Sequence, residues 1–420
     1  MLRVWRGATD NGSMSPAIRT GRRPARQGAD IQAHTPPEPA RDGAGIVTEL
    51  ISELSRAAAL TPEWEALAVA ASKPVVSAAW VLAWWRHVAP AGMTARVVAV
   101  RDGSRLIGVV PFHVAGRRLG VAAEYRLMAA KFGVCMEPLA LPGRERDVAK
   151  AASAALAAAR PRADLIGFGP MPIASPWVAA FGEAGGRRVH AQAWHRRTEG
   201  APVVHLREPS YEQWFQTLSA KLRRDLRTSR RRFVEAGGTM RWTDASTLRA
   251  DAESFAALHI RRWAGRGWSR LADLGEGLPD WLVALGTPLI ESGRFGLCVL
   301  EIDGEPICVD LSLSAGSEVA GINVGWDDRH AKLGPPKLAM LQVIEDAYGK
   351  GVERFSLGNG PLPNQVRIAN GDDPVAWTTL IEPTPRLPLT YLFMAPELGR
   401  ARVRKWRANW HAKAATKRGL

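Results

Sequence analysis

"GWDDRHAKLGPPKLAMLQVIEDAYGKG", residues 325–351, runs from an irregular loop straight into an apolar-striped helix. Pro335 and Pro336 suit a first helical turn, where a fixed φ and a missing N–H cost little. Leu338, Leu341, Ile344 and Tyr348 then recur at 3/3/4 spacing and predict the buried stripe. A helix start offers unpaired N–H groups and the positive end of the macrodipole, so it suits an anion, although a proline-started helix needs no ligand. The flanking sequence decides the architecture. Upstream, "FGLCVLEIDGEPICVDLSLS" (295–314) gives two β-rich runs turned at Asp303-Gly304, a strong short hairpin signal, and "EVAGINVGW" (318–326) a third strand. Downstream, "VERFSLG" (352–358) supplies one more.

The same plan occurs earlier in the chain. After helices expected over 61–71 and 78–88, "TARVVAVRDGSRLIGVVPFHVAG" (94–116) forms a hairpin across Asp102-Gly103. An alanine-rich helix (146–159) and a strand at "ADLIGFG" (163–169) follow, while the second half opens with helices over 210–236 and 249–266. Such duplication predicts an α/β (α+β) protein of two like domains. The expected division is a disordered Arg/Pro/Gly-rich segment (1–45), an N-terminal domain (46–200), a C-terminal domain (201–390) and a basic amphipathic tail (391–420).

With 420 residues and 46% hydrophobic composition, the chain has material for two cores. It contains no apolar run of transmembrane length and no secretory-type apolar stretch, which predicts a cytoplasmic protein. Cys135, Cys298 and Cys308 are too sparse for a zinc cluster or disulfide framework, and the histidines lack ligand spacing, so no metal is expected. The net charge of +15 is localised: +3 in residues 1–45, +5 in 210–241 and +7 in 396–420 account for all of it. That distribution argues against a general DNA-binding face.

Five stretches of the second half, "LSAKLRRDLRTSRRRFVEAGG" (218–238), "LHIRRWAGRG" (258–267), "GRFGLCVLEIDGEPICVDLSLS" (293–314), "GWDDRHAKLGPPKLAM" (325–340) and "RFSLGNGPLPNQVRIANG" (354–371), occur in a familiar order. They resemble the acetyltransferase domain of the CelD/BcsL (cellulose-biosynthesis) branch of the GNAT superfamily, related to the Fem-type peptidoglycan aminoacyltransferases. "SAAWVLAWWRH" (77–87) and "VVAVRDGSRLIGVVPF" (97–112) extend the likeness to the first half. The resemblance implies tandem GNAT-like domains, each a mixed, mostly antiparallel sheet flanked by helices, and acyl transfer from acetyl-CoA or another acyl-CoA to an amine or hydroxyl, with a glycan acceptor preferred. The chain departs from the family where Ser-Pro-Gly becomes Gly334-Pro335-Pro336 and where a Tyr-Lys pair becomes Asn364-Gln365. The alternatives are a Fem-like enzyme using aminoacyl-tRNA and a catalytically inactive binding protein.

Acyl transfer from a thioester needs a phosphate site, a donor to the developing oxyanion and a proton acceptor. For the phosphates, the Ala331–Lys337 loop offers Gly334, Lys332 and Lys337. For the oxyanion, the resemblance implies a backbone N–H near Ile322 to Val324, where GNAT strands splay. For the proton, the candidates are His259, Asp310 and Asp327, with Glu301 read as solvated. His259 sits one turn from Trp263, within reach of Arg262, and equally suits a surface or partly buried structural site. Strand alternation puts Asp310 on one face with Pro306, Cys308, Ser312 and Ser314, read first as the solvent side and second as a cleft wall. Asp327 is read equally as a turn cap. Arg224, Arg227, Arg262, Trp263, Asn359, Asn364 and Gln365 are the candidate acceptor-side residues. The basic face of helix 210–236 suits CoA phosphates, an anionic glycan or tRNA, or is simply solvated. In the tail, Val403, Trp406 and Trp410 share one helical side among basic residues, a peripheral membrane-contact pattern.

Overall fold

The computed structural model describes residues 20–21, 45–118, 122–132, 135–183, 192–263, 269–360, 367–392 and 394–395. The expectations for most of the N-terminal segment, for Asn364 and Gln365, and for the tail beyond 395 fall outside the described residues.

Asp303 and Gly304 both hold positive φ, 52° and 80°, as the two-residue turn of a right-twisted hairpin requires. They close Ile302 onto Glu305, so Phe295–Ile302 and Glu305–Ala315 pair antiparallel, and Glu318–Trp326 adds the third strand of the meander. Gly238–Trp242 flanks this meander on one side. On the other lie Arg354–Ser356, Pro202–His205 and Gly371–Asp372. The first sheet runs Ile46–Ile51, Thr94–Asp102, Arg105–Arg118, Ala122–Leu127, Leu165–Pro172, Val375–Ile381, Gln192–Glu199. The linear division at 200/201 is therefore not kept: Val375–Ile381 returns to the first sheet, antiparallel to both of its neighbours.

Each sheet is covered on both faces. Val98, Ile107, Val110 and Phe112 meet the helices Glu145–Ala158 and Trp177–Glu183 on the outer side of the first. Between the sheets lies one continuous core, in which Ala78–His87 from the first half packs on Leu278–Ile290 from the second. Its centre is an edge-to-face pair, Trp80 and Trp281, with centroids 5.4 Å apart and both side chains fully buried. The far face of the second sheet is covered by Ala220–Glu235 and Pro335–Gly349.

The expected helix 210–236 is two helices, Tyr211–Thr217 and Ala220–Glu235. Ser219 breaks it because its hydroxyl accepts the Leu222 N–H and starts a new helix, while Arg223 reaches back to the Gln216 and Leu218 carbonyls. Phe215, Leu218, Leu222, Leu226 and Phe233 are all buried. Leu338, Leu341 and Ile344 are also buried, whereas Tyr348 is half-exposed and donates to Glu208.

Candidate active site

The second sheet comes apart where the quoted loop begins. Glu318–Trp326 runs parallel to Arg354–Ser356 through three pairs only, ending at Ala320 and Ser356. On the other side it stays paired, but the register jumps from Leu311–Asn323 to Ser312–Gly321, leaving Ile322 as the extra residue of a β-bulge. The bulge changes the strand's phase. Ala320 and Ile322 pack on the inter-sheet core, whereas Val324 and Trp326 pack on the opposite one. Beyond Ala320 the strand edge has no partner strand among the described residues, and its backbone groups must find other partners.

At Val324 two side chains supply them. The Val324 N–H is received by Asn323 Oδ1 at 3.0 Å. Its carbonyl lies 3.1 Å from His259 Nδ1, which therefore carries the proton, and Nε2 accepts the Ser269 hydroxyl at 2.7 Å. His259 is fully buried and stacked on Phe255, with ring planes 10° apart. Burial lowers its pKa, the Val324 contact opposes that, and Arg262 lowers it further. The ring is thus a neutral, doubly bonded strut, not a helix-surface group. Its helix, Leu248–Trp263, approaches this closely because position 325 is glycine. A Cβ there would stand 2.8 Å from the Phe255 carbonyl oxygen and 2.9 Å from the His259 nitrogen.

Asp310 is the register partner of Val324, so both side chains lie on the face covered by the helix Pro335–Gly349. The first reading of that face as solvent-exposed is corrected: Cys308 and Cys298 beside Asp310 are buried, because helices cover both sides of this sheet. Asp310 itself is half-buried, with no hydrogen bond or ion pair among the described residues, and burial alone raises its carboxyl to about 7. It can exchange a proton near neutrality.

Asp327 is different. It caps the turn Asp328–Leu333 through the Arg329 N–H, and the Arg329 side chain, opposed by partial burial and aided by that backbone bond and by Arg261, holds its carboxyl down at about 2. Such a carboxylate stays ionised and holds the loop. Glu301 is not free in solvent: it pairs with Arg241 at 2.8 Å, beside Asp251.

The loop's anion cradle also differs from its sequence reading. Gly334 takes a left-handed conformation as the helix N-cap, where Ser229 of the basic helix crowds the place of a Cβ at 3.2 Å. Pro335 and Pro336 have no N–H, and the Lys337 and Leu338 N–H groups both turn back to the Gly334 carbonyl, at 3.0 and 3.3 Å. The helix start therefore presents no spare backbone donor. What remains for an anion is the macrodipole with Lys332, exposed, and Lys337, half-exposed.

Of the acceptor-side candidates, Arg262 pairs with Asp328 and lies 4.4 Å over the Trp326 ring, next to Trp263. Arg227 lies over Phe215, and Arg224 is exposed on the same helix. Asn359 follows the short strand Arg354–Ser356, on the far side of the opening. No cluster of three or more His, Cys, Asp or Glu suited to a metal ion occurs among the described residues. Nor is any helix there long and apolar enough to cross a membrane.

Residues 220–364 match the family described as an acetyltransferase (GNAT) domain. The whole chain has the tandem GNAT-like fold, two mostly antiparallel sheets flanked by helices. The FemX crystal structure superposes with a TM-score of 0.56 at 12% identity, covering 82% of this chain and 99% of that one. The C-terminal domain of a putative lysylphosphatidylglycerol synthetase from Agrobacterium fabrum gives 0.50 at 12% identity, covering 80% and 95%. At such identity these likenesses concern the fold. No curated protein matches the chain.

Sequence reasoning missed Asn323, Ser269 and Gly325. Only the glycine left a trace, as the one residue in "INVGW" without a side chain. Ser269 lies ten residues from His259, and no local sequence pattern encodes their pairing.

Proposed function

We propose that the protein is a GNAT-type acyltransferase that moves an acyl group from an acyl-CoA to an amine or hydroxyl, on a sugar or exopolysaccharide precursor. The observation that carries this reading is the strand edge at Ile322–Val324, which has no partner strand among the described residues, with the near-neutral Asp310 carboxyl directly across the strand pair. A thioester carbonyl accepting a backbone N–H at that edge is polarised for attack. The acceptor's nitrogen or oxygen bonds to the carbonyl carbon, the C–S bond breaks, and the acceptor's proton passes to Asp310 while the thiolate leaves. Lys332 and Lys337, with the helix dipole, take the CoA phosphates. Arg262 and Trp263, with Arg224, Arg227 and Asn359, fit the acceptor side. The basic tail, with Val403, Trp406 and Trp410, suits the anionic inner face of a membrane, where such acceptors are assembled.

Thermal unfolding with CoA, acetyl-CoA, longer acyl-CoAs and aminoacylated tRNA tests the donor. A ligand at 100 times its Kd adds about 2.7 kcal/mol of stability. Acyl-CoA should raise the midpoint and Lys337→Glu should remove the effect; no shift with any CoA would sink the proposal.

A second reading, transfer from aminoacyl-tRNA, is favoured by one observation: the helix start lacks free N–H donors, while Arg224, Arg227, Arg231 and Arg232 stand exposed on the adjoining helix. Stabilisation by aminoacylated tRNA alone, falling steeply with salt, would select it.

A further inference from the structure

The two backbone groups of Val324 are held in unlike ways. Its carbonyl is bonded to a fully buried imidazole that is itself bonded to Ser269, stacked on Phe255 and locked by helix contact at Gly325. Nothing there can move without disturbing the inter-sheet core. Its N–H is bonded only to the side chain of its half-exposed neighbour, Asn323, which bond rotations alone can withdraw. The rigid half fixes the strand beyond the bulge, and the rotatable half covers a backbone donor at the open edge.

We propose that Asn323 is a displaceable stopper on the acyl-carbonyl site: its Oδ1 occupies the Val324 N–H until the carbonyl of the acyl donor replaces it. The inference rests on the reading of the protein as an acyl-CoA enzyme. An amide suits the task physically. An aliphatic side chain would leave a partly buried N–H unpaired in the free protein. A carboxylate would bind the N–H more tightly and oppose a developing oxyanion. Asn323 thus weights the site between acylated and free CoA, because only the acylated form brings a thioester carbonyl to exchange for the stopper. It is a positioning residue, and the N–H it covers belongs to Val324.

The test is calorimetric titration of wild-type protein, Asn323→Ala and Asn323→Asp with CoA and with acetyl-CoA. CoA lacks the thioester carbonyl, so its affinity reports folding and the phosphate site; the acetyl-CoA to CoA ratio reports the stopper. Removing one neutral competing hydrogen bond should raise that ratio about fivefold in Asn323→Ala, and the charged competitor should lower it at least as much in Asn323→Asp. Equal ratios in all three proteins, with CoA affinity retained, overturn the stopper while leaving the acyl-CoA reading intact. Failure of the wild-type protein to bind CoA at all overturns both. If Asn323→Ala alone loses CoA affinity through misfolding, the shift in Asn323→Asp decides the matter.

Discussion

His259 donates its Nδ1–H to the backbone carbonyl of Val324, 3.1 Å away and 65 residues downstream. The bond joins the helix Leu248–Trp263 to the strand edge left open by the bulge, so the open edge is held by a side chain where a strand would otherwise lie. This gives the histidine a structural task with a pH signature.

Because burial lowers the His259 pKa in the folded state, the unfolded chain binds more protons as pH falls past the ordinary histidine value. Its contribution to stability is complete above about pH 6.5 and is lost as pH drops from there towards the folded pKa. His259→Gln should flatten this part of the stability–pH curve and cost about 1–3 kcal/mol at pH 8, from imperfectly replaced bonds to Val324 and Ser269. Urea denaturation from pH 5 to 8 measures both effects; an unchanged slope would show that His259 protonates freely in the folded protein.

Gly325→Ala tests the close approach itself. The new methyl would sit 2.8 and 2.9 Å from backbone atoms of Phe255 and His259, which cannot rotate away as a side-chain tip could. Helix and strand must separate, at about 1–3 kcal/mol. The crystal structure of the variant should show the His259–Val324 distance lengthened beyond hydrogen-bonding range.

Those two residues also mark where sequence legibility stopped. The hairpins at Asp102-Gly103 and Asp303-Gly304, the meander and the helix after Gly334 were readable because turn chemistry and hydrophobic period are local. The bulge at Ile322 was not, since its register is set by which residues of Glu305–Ala315 lie opposite. Asp310 was read onto the wet side of its strand because alternation gives a face but cannot say whether a helix covers it. The return of Val375–Ile381 to the first sheet was equally hidden, as a strand's partners are a property of topology. In the loop, the prolines correctly signalled a loss of donors, but the turning back of the Lys337 N–H onto Gly334 required coordinates.

The shared core between the sheets predicts a single unfolding event. Trp281 meets Trp80 and Phe132 edge-on and is fully buried, so Trp281→Ala removes contacts on both halves at once. A cost of about 3–5 kcal/mol is expected, with circular dichroism and tryptophan fluorescence still melting together. Separate transitions would show that the two halves fold independently of that core.

Asp310 should behave oppositely to His259. Its carboxyl is raised from the usual range to about 7, so the folded state holds a proton that the unfolded chain has already released. The stabilising contribution is complete below about pH 4 and is lost as pH rises through 7. Asp310→Asn, which keeps the shape and removes the charge, should therefore raise stability by about 1–2 kcal/mol at pH 8 and change it little at pH 4. The same substitution should lower acyl transfer by about 100-fold or more, since a positioned proton acceptor contributes that much. In the wild-type protein kcat/KM should rise with pH around an apparent pKa near 7, an inflection absent from the variant's residual activity. A gain in stability with undiminished transfer would mean that Asp310 is a buried strain in the sheet and that the acceptor's proton leaves by another route.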